Sequence, residues 1–261
     1  MAFRSFSGKI ITSSVCAAVV VGGTYGYFVH RRIRTTDPKK ITTFDTIPDS
    51  LQQSLSVTEI VNAKRHHQMA DSRFITIEIP PEHQHMTDEV LLARFTKGFF
   101  GGLVIAPERI ALQIFRPKLL NFSKIKTPEN IPKIWYKNQL SEDRLPPLYS
   151  ELFGVFQVID TRMDPKSGVK DKQDRTESYV DFGFCSDQSQ FAGVHRFSIV
   201  RSNELSSTAG QTVQIHLQSM TCNPTVNRPF SLGFLFPLHL AYAEFLFREG
   251  VSQVTGSLGN E

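Results

Sequence analysis

The chain has 261 residues, enough for one large domain or two small ones, and its 40 % hydrophobic and 21 % charged residues are typical of a protein with a sizeable core. The net charge of +4 is not spread over a basic surface with interleaved aromatic residues, so the sequence argues against a nucleic-acid partner. Three cysteines form no paired framework, which slightly favours a reducing compartment.

The first predicted element is an apolar run long enough to cross a membrane. Residues Ile10–Val29 carry no charge, and twenty helical residues span about 30 Å, the thickness of the hydrocarbon layer. Tyr25 and Tyr27 near its end suit the lipid–water interface. We therefore predict a retained transmembrane helix over residues 10–29, preceded by a basic tail over residues 1–9, and hence a single-pass membrane protein.

The basic residues around this run predict its orientation. The C-terminal flank carries Arg31, Arg32, Arg34, Lys39 and Lys40, whereas the N-terminal flank carries only Arg4 and Lys9. The positive-inside rule therefore places the main domain in the cytosol. The Ser-rich, acid-free start is also typical of a transit sequence, so both the mitochondrial and the endoplasmic reticulum membrane stay open.

Two glycines in the run raise the question of pairing. Gly22 and Gly26 have the small-xxx-small spacing by which membrane helices pack closely, which would allow a homodimer. Glycine is also common in unpaired membrane helices. The spacing alone leaves both interpretations open.

Residues 30–72 are predicted to be a polar linker. They contain Pro38 and Pro48 and show only a short helical pattern around Ser56–Lys64. Histidines at 66, 67, 83 and 85 are not joined by cysteines or carboxylates at ligand spacing. Neither a metal site nor a cofactor is therefore expected.

A folded domain is predicted from residue 73 to residue 255, followed by a tail over 256–261. It opens on RFITIEI, in which Ile75, Ile77 and Ile79 alternate with Phe74, Thr76 and Glu78 as in a strand. Thr87 is a predicted cap for a helix that Gly98–Gly102 ends or kinks. The next segment, RIALQIF, fits a strand or a helix.

Three later segments show the alternation of strands. One face carries Val180, Phe182 and Phe184 in the first, His195, Phe197 and Ile199 in the second, and Val213, Ile215, Leu217 and Ser219 in the third. An earlier segment, Leu152–Ile159, is apolar on both faces. Short polar connections between them favour an antiparallel meander.

The last apolar stretch, Pro229–Phe247, is predicted to fold onto the sheet and not to cross the membrane. Pro237 favours a break before it and a helix after it. From there Leu238, Ala241, Tyr242 and Phe245 recur at helical spacing on one side. The predicted fold is therefore α+β, a curved antiparallel sheet closed by an amphipathic C-terminal helix over Pro237–Val251, with Phe230–Phe236 lining the space between them.

Several of these segments resemble an uncharacterised family, catalogued as domain of unknown function nineteen-ninety. The resemblance rests on Phe182-Gly183-Phe184, on Gly193-Val194-His195-Arg196-Phe197, on the strand from Ser219 to Asn223-Pro224, and on a closing helix with Tyr242 and Phe245. His195 stands where the family pattern has an acid. The resemblance implies a START-like helix-grip fold, in which the sheet wraps a long helix around an apolar cavity, but it implies no activity.

A binding module for a hydrophobic molecule is the leading hypothesis. An apolar sheet face closed by a Phe-rich segment and a helix would form a cavity for a lipid-like or polycyclic ligand, beside the membrane where such ligands partition. The residues expected to line it are Phe182, Phe184, Phe197, Ile215, Leu217, Phe234 and Tyr242. The alternative is that the same residues fill a solid core.

Two other functions stay open. The first is an enzyme, cyclase- or isomerase-like, acting on an apolar polyketide or lipid, with His195 as candidate general base and Ser219 as a helper. Tyr179 and Asp181 are weaker helpers, since alternation puts them on the opposite face. The second is a membrane-tethered adaptor recognised through its Pro-rich surface, Lys118–Pro147. No hydrolase, protease, kinase or dinucleotide-binding motif is present in the sequence.

Overall fold

The structure is a computed structural model that describes residues 20–126, 128–163, 175–202, 211–229 and 236–258. The first half of the predicted transmembrane run, Phe234 and residues 259–261 lie outside the described residues. Within the described part of the chain, no single helix is both long and apolar enough to cross a membrane, whereas Asp88–Gly101 and Ala106–Phe115, bent by 74°, pass that test as a pair.

A single sheet organises the described residues. Its eight strands are β1 Thr42–Phe44, β2 Gln68–Ile79, β3 Lys133–Ile134, β4 Glu151–Leu152, β5 Phe156–Arg162, β6 Arg175–Cys185, β7 Ala192–Ser202 and β8 Gln211–Cys222. They lie in the order β1-β2-β8-β7-β6-β5-β4-β3, and every pair is antiparallel except β3 with β4. Because β2 pairs with β8, the second strand in the chain lies beside the last one.

Helices cover both faces of this sheet. They are α1 over residues 20–33, α2 Asp49–Gln52, α3 Asp88–Gly101, α4 Ala106–Phe115 and α5 Phe236–Gly256, with a π-helical turn at Ser56–Val61 and 3-10 turns at Pro38–Lys40, Pro81–His83 and Lys137–Gln139. The predicted α+β class, a curved and mostly antiparallel sheet with a C-terminal helix, is confirmed.

Local sequence signals account for the helix ends. The Thr87 hydroxyl accepts a hydrogen bond from the Val90 amide at 3.3 Å and caps α3, as predicted. RIALQIF, which fitted a strand or a helix, belongs to α4. Pro107 lies in the first turn of α4, and Arg116 closes it in a left-handed conformation at φ 43°.

The inner face of the sheet, defined as the face on which α3 and α5 pack, holds the main core. It carries the side chains that alternation assigned to one face of β6, β7 and β8, among them Phe182, Phe197 and Ile215. Phenylalanines of α3 insert between them: Phe95 lies 4.9 Å and Phe99 4.8 Å from the Phe197 ring, centre to centre. Burial of these rings against the sheet stabilises the domain.

The outer face is covered by the segment predicted to be a linker. Its side chains Leu51, Val57 and Val61 are buried against a second apolar cluster that includes Val194 and Met220 on the sheet. β1 adds to the edge of the sheet beside β2. Residues 42–61 thus form a layer of the fold and are not a free tether.

The C-terminal end of helix α1 packs against the domain. Ile33 is buried in the main core, and the Tyr25 hydroxyl donates to the Leu103 carbonyl at 2.5 Å. Arg32 bonds Gln253 of α5, and Thr36 bonds the Arg248 carbonyl at 3.1 Å. The second half of the predicted anchor, residues 20–29, therefore lies in a helix whose C-terminal end is fixed to the domain.

Candidate functional site

A row of polar side chains crosses the otherwise apolar inner face. In the strand register Asp71 of β2 pairs with Ser219 of β8, Ser219 pairs with His195 of β7, and His195 pairs with Phe182 of β6. Directly paired residues of antiparallel strands point to the same face with their Cβ atoms about 5 Å apart. The two residues proposed from the sequence for catalysis, His195 and Ser219, are therefore neighbours.

Arg73 lies two residues along β2 and joins this row. Its Nη2 donates to Asp71 Oδ2 at 2.6 Å, and both side chains are almost fully buried. Its Nη1 donates to the Leu240 carbonyl of α5 at 3.2 Å. The first turns of α5 therefore pass over this row of side chains. We call Asp71, Arg73, His195 and Ser219 the polar row.

Two polar atoms of the row have no partner among the described residues. They are Nδ1 of His195 and Nε of Arg73, and both are enclosed by protein. A buried donor or acceptor left without a hydrogen bond costs about 1–3 kcal/mol. Such atoms inside an apolar layer are the groups that a bound molecule would satisfy.

The His195 imidazole is surrounded by aromatic rings. Phe184 lies 4.7 Å, Phe99 6.0 Å and Phe156 6.2 Å from it, centre to centre. Burial lowers the pKa of His195 to about 3, and the charges of His239 and Arg73 act in the same direction. The ring is therefore neutral at physiological pH, and one of its nitrogens accepts a hydrogen bond while the other donates.

Six of the seven residues predicted to line a cavity lie within the described residues. Five of them are buried in the main core, namely Phe182, Phe184, Phe197, Ile215 and Leu217. Rings of α3 pack on Phe182 and Phe197. The Phe184 ring, at the end of β6, lies near both His195 and the exposed Phe191, so it packs against the polar row.

Gly193 provides the space for this arrangement. A Cβ at Gly193 would overlap the Phe184 ring and the Met220 carbonyl. Any side chain there would push Phe184 away from His195. Tyr242 lies elsewhere on α5, where its hydroxyl donates to Glu108 of α4 at 2.9 Å.

Two candidates lie on the outer face, as alternation predicted. Asp181 forms a buried, bidentate ion pair with Arg196, and the Tyr179 ring stacks on that guanidinium with 3.7 Å to the ring centre. Burial and the nearby Asp160 raise the pKa of Tyr179 to about 12. Neither residue reaches the polar row.

Asp71 was missed because the predicted first strand began at Arg73, and Arg73 was missed because it was not counted in the alternation of that strand. The strand begins at Gln68, and the alternation of Ile75 and Ile77 extends backwards to both charged residues. Two charges in phase with an apolar strand face are themselves a signal of a functional or ion-paired site.

The other features of the described residues offer weaker sites. They contain no group of His, Cys, Asp and Glu side chains that could hold a metal ion. A half-open groove of about 660 Å³ lies on the outer layer, lined by Gln52, Gln53, Val57, Thr58, Glu59, Asn62, Arg65, His66 and Gln68. This lining is mostly polar, so the groove does not suit the predicted apolar ligand.

Comparison with known proteins adds no assignment. No protein-family model matches the chain, and a search of the curated proteins finds no relative. The resemblance to the nineteen-ninety family stays a prediction.

Proposed function

We propose that this protein is a membrane-anchored domain that binds a hydrophobic small molecule or lipid carrying one polar group. The polar group binds at Arg73, His195 and Ser219, and the apolar part lies against Phe184 and beneath the start of α5. The anchor over residues 10–29 holds the domain at the membrane from which such a molecule partitions. The START-like helix-grip arrangement belongs to the same proposal.

The unpartnered atoms of the polar row carry this proposal. Arg73 Nε is a donor, and His195 Nδ1 donates or accepts according to its tautomer. Because Asp71 already neutralises Arg73 at 2.6 Å, the site suits a hydroxyl or carbonyl group better than a strong anion. Aromatic rings on one side of such polar atoms are typical of small-molecule sites.

The chemistry of His195 favours binding over catalysis. A general base works best when its pKa lies near the operating pH. The pKa of His195 is lowered to about 3 by burial, so the imidazole is a poor proton acceptor at neutral pH. The same neutral ring is well suited to a hydrogen bond with a neutral ligand.

The proposal predicts that a bound molecule is lost when the polar row is changed. The full-length chain should co-purify with a stoichiometric organic molecule, detected by solvent extraction and mass spectrometry. We expect His195→Phe to lower its occupancy at least tenfold, because the hydrogen bond is removed while the aromatic packing is kept. Ser219→Ala should lower occupancy less.

Ser198→Ala is the matched control for this experiment. Ser198 is fully buried on the same strand pair but on the outer face, opposite His216. It should keep the wild-type occupancy. A wild-type chain that carries no organic molecule, or equal retention by His195→Phe and Ser198→Ala, would contradict the proposal.

Acid should destabilise the folded chain through His195. Its pKa is about 3 in the folded state against an ordinary 6.5, so between these values the unfolded chain binds the additional proton. The stabilisation is complete above pH 6.5 and is lost as the pH falls towards 3. Because His195 is half-buried as a whole, although its Nδ1 is enclosed, we expect a loss of about 1–3 kcal/mol from pH 7 to pH 4.

Urea unfolding at both pH values measures this loss. In His195→Phe the difference between pH 7 and pH 4 should shrink by that amount, whereas substitution of the exposed His67 by Asn should leave it unchanged. The charged groups that act on His195, which are His239 and Arg73, stay in place in both variants. Equal pH dependence in the wild type and His195→Phe would refute the assignment.

A further inference from the structure

The solvent-facing side of α4 is apolar. Its residues Pro107, Ile110, Ala111 and Ile114 recur at i, i+3, i+4 and i+7, and Phe115 lies beside them. Ile110, Ile114 and Phe115 are 52, 71 and 79 % exposed. We call these five residues the α4 stripe. Single exposed apolar residues are ordinary, but a contiguous exposed patch on one helix marks an interaction surface.

The opposite side of α4 is fixed to the domain. The buried Arg109 donates from Nη1 to the carbonyls of Phe100 and Gly102, at 3.0 Å each. Glu108, which flanks the stripe beside Phe115, accepts from the Tyr242 hydroxyl of α5 at 2.9 Å. Because the hydrogen bonds of Arg109 and Glu108 fix α4 to the domain, the stripe can turn inwards only if these bonds break.

The turn that precedes α4 contacts α1, the helix that contains the second half of the predicted anchor. The turn between α3 and α4 is held by Glu249, whose two carboxylate oxygens accept from the amides of Leu103 and Val104 at 2.6 Å each. Tyr25 of α1 bonds the Leu103 carbonyl at 2.5 Å. Towards its N-terminus α1 exposes Val20 and Val21, which continue the apolar run of residues 10–29.

We propose that the α4 stripe inserts into the interface of the same lipid bilayer that the anchor crosses. The proposal rests on the anchor that forms part of the proposed function. A membrane is the favoured occupant because Tyr25, within the predicted anchor, contacts the turn that leads into α4. Arg116 and Lys118, both exposed, follow it directly and suit anionic headgroups.

Insertion would fix the orientation of the domain on the membrane. Through the bond between Tyr242 and Glu108, the first turns of α5 are tied to α4. The same turns cover the polar row through the bond from Arg73 to Leu240. A lipid-derived molecule would then reach the row from the bilayer side without crossing water.

Depth-dependent tryptophan quenching tests this insertion. Trp135 is the only tryptophan, so Trp135→Phe gives a silent background into which Phe115→Trp is placed. The full-length chain is reconstituted in phosphatidylcholine vesicles with one-fifth phosphatidylserine, with or without brominated acyl chains. We expect brominated lipid to quench Trp at 115 at least twofold. A second variant that adds Ile114→Glu should lose that quenching.

Leu55→Trp in the same background is the matched control. Leu55 is 67 % exposed but lies in the layer on the outer face, away from α4, so brominated lipid should not quench it. Three outcomes would each overturn the proposal. Brominated lipid could quench both positions equally, or aqueous iodide alone could quench Trp at 115. Neither quencher could reach position 115, as expected if a second copy of the chain covers it. Flotation after a carbonate wash reports separately on the anchor: a chain that is released refutes the anchor as well.

Discussion

Asp181→Ala is expected to destabilise the domain by about 3–5 kcal/mol, the range for removing one member of a buried ion pair. Asp181 and Arg196 are 0 and 1 % exposed, and two hydrogen bonds of 2.7 and 2.8 Å join them. Without the carboxylate, the guanidinium stays buried and uncompensated. Because Ser56 also donates to Asp181 and Arg196 donates to the Ser50 carbonyl, the loss should extend to the outer layer.

Urea unfolding of the full-length chain in nonionic detergent measures the loss, and hydrogen exchange over residues 49–61 should rise with it. Two variants make the result specific. Asp181→Leu combined with Arg196→Met removes both charges and should recover most of the stability. Glu59→Ala, which breaks an exposed pair with Lys124 at 3.7 Å, should cost less than about 1 kcal/mol. A cost for Asp181→Ala as small as that of Glu59→Ala would refute the role assigned to the pair.

The inner face was predictable because it follows a local rule. In β6, β7 and β8 the inner-face residues alternate with mostly more polar ones, and the register confirms every assignment from Val180 to Ser219. Pro237 likewise placed the start of the C-terminal helix, but helical spacing assigned the wrong face to it. Leu238, Ala241 and Phe245 are exposed, whereas Leu246, Phe247 and Val251 pack in the main core, because contacts with α3 and the sheet decide which face of α5 is buried. Strand alternation and a proline need only a few neighbouring residues, so one sequence suffices to detect them.

What could not be predicted depends on contacts between distant residues. The predicted helix end within Gly98–Gly102 is confirmed, since α3 ends at Gly101. The packing role of Gly98 was not predictable: a Cβ there would meet the backbone of Gly250 on α5. The close approach of two helices cannot be detected from the residue pattern of either helix alone. For the same reason Phe99 and Phe100 were not expected in the core, and the layer held by Asp181 was interpreted as a linker.

The polar row shows both kinds of signal. His195 was detectable as one polar residue in an apolar alternation, whereas its neighbours in the row are set by the pairing of β2 with β8 across more than a hundred residues. The function proposed for the row depends on these pairings. The space available to a ligand depends in turn on how densely the neighbouring phenylalanines are packed.

Phe100→Ala tests that density and is expected to cost about 3–5 kcal/mol, the range for a phenylalanine truncated in a packed core. Phe100 is fully buried, and its ring centre lies 4.9 Å from Phe156, 5.0 Å from Phe182 and 5.8 Å from Phe197. Its removal leaves a cavity that backbone relaxation closes only in part. Thermal and urea unfolding measure the cost. Phe44→Ala, at a half-exposed position on the edge strand β1, should cost less than about 1 kcal/mol.

The same variant discriminates between two positions for the ligand. If Phe182 and Phe197 are solid core, Phe100→Ala loses stability and gains a dry cavity that binds xenon or benzene. The molecule bound by the wild type would then be confined to the polar row beside Phe184, and its occupancy should change little. If Phe100→Ala instead costs no more than Phe44→Ala but abolishes the bound molecule, the phenylalanines of α3 line the binding site. The ligand would then extend from the polar row into the space between α3 and the sheet.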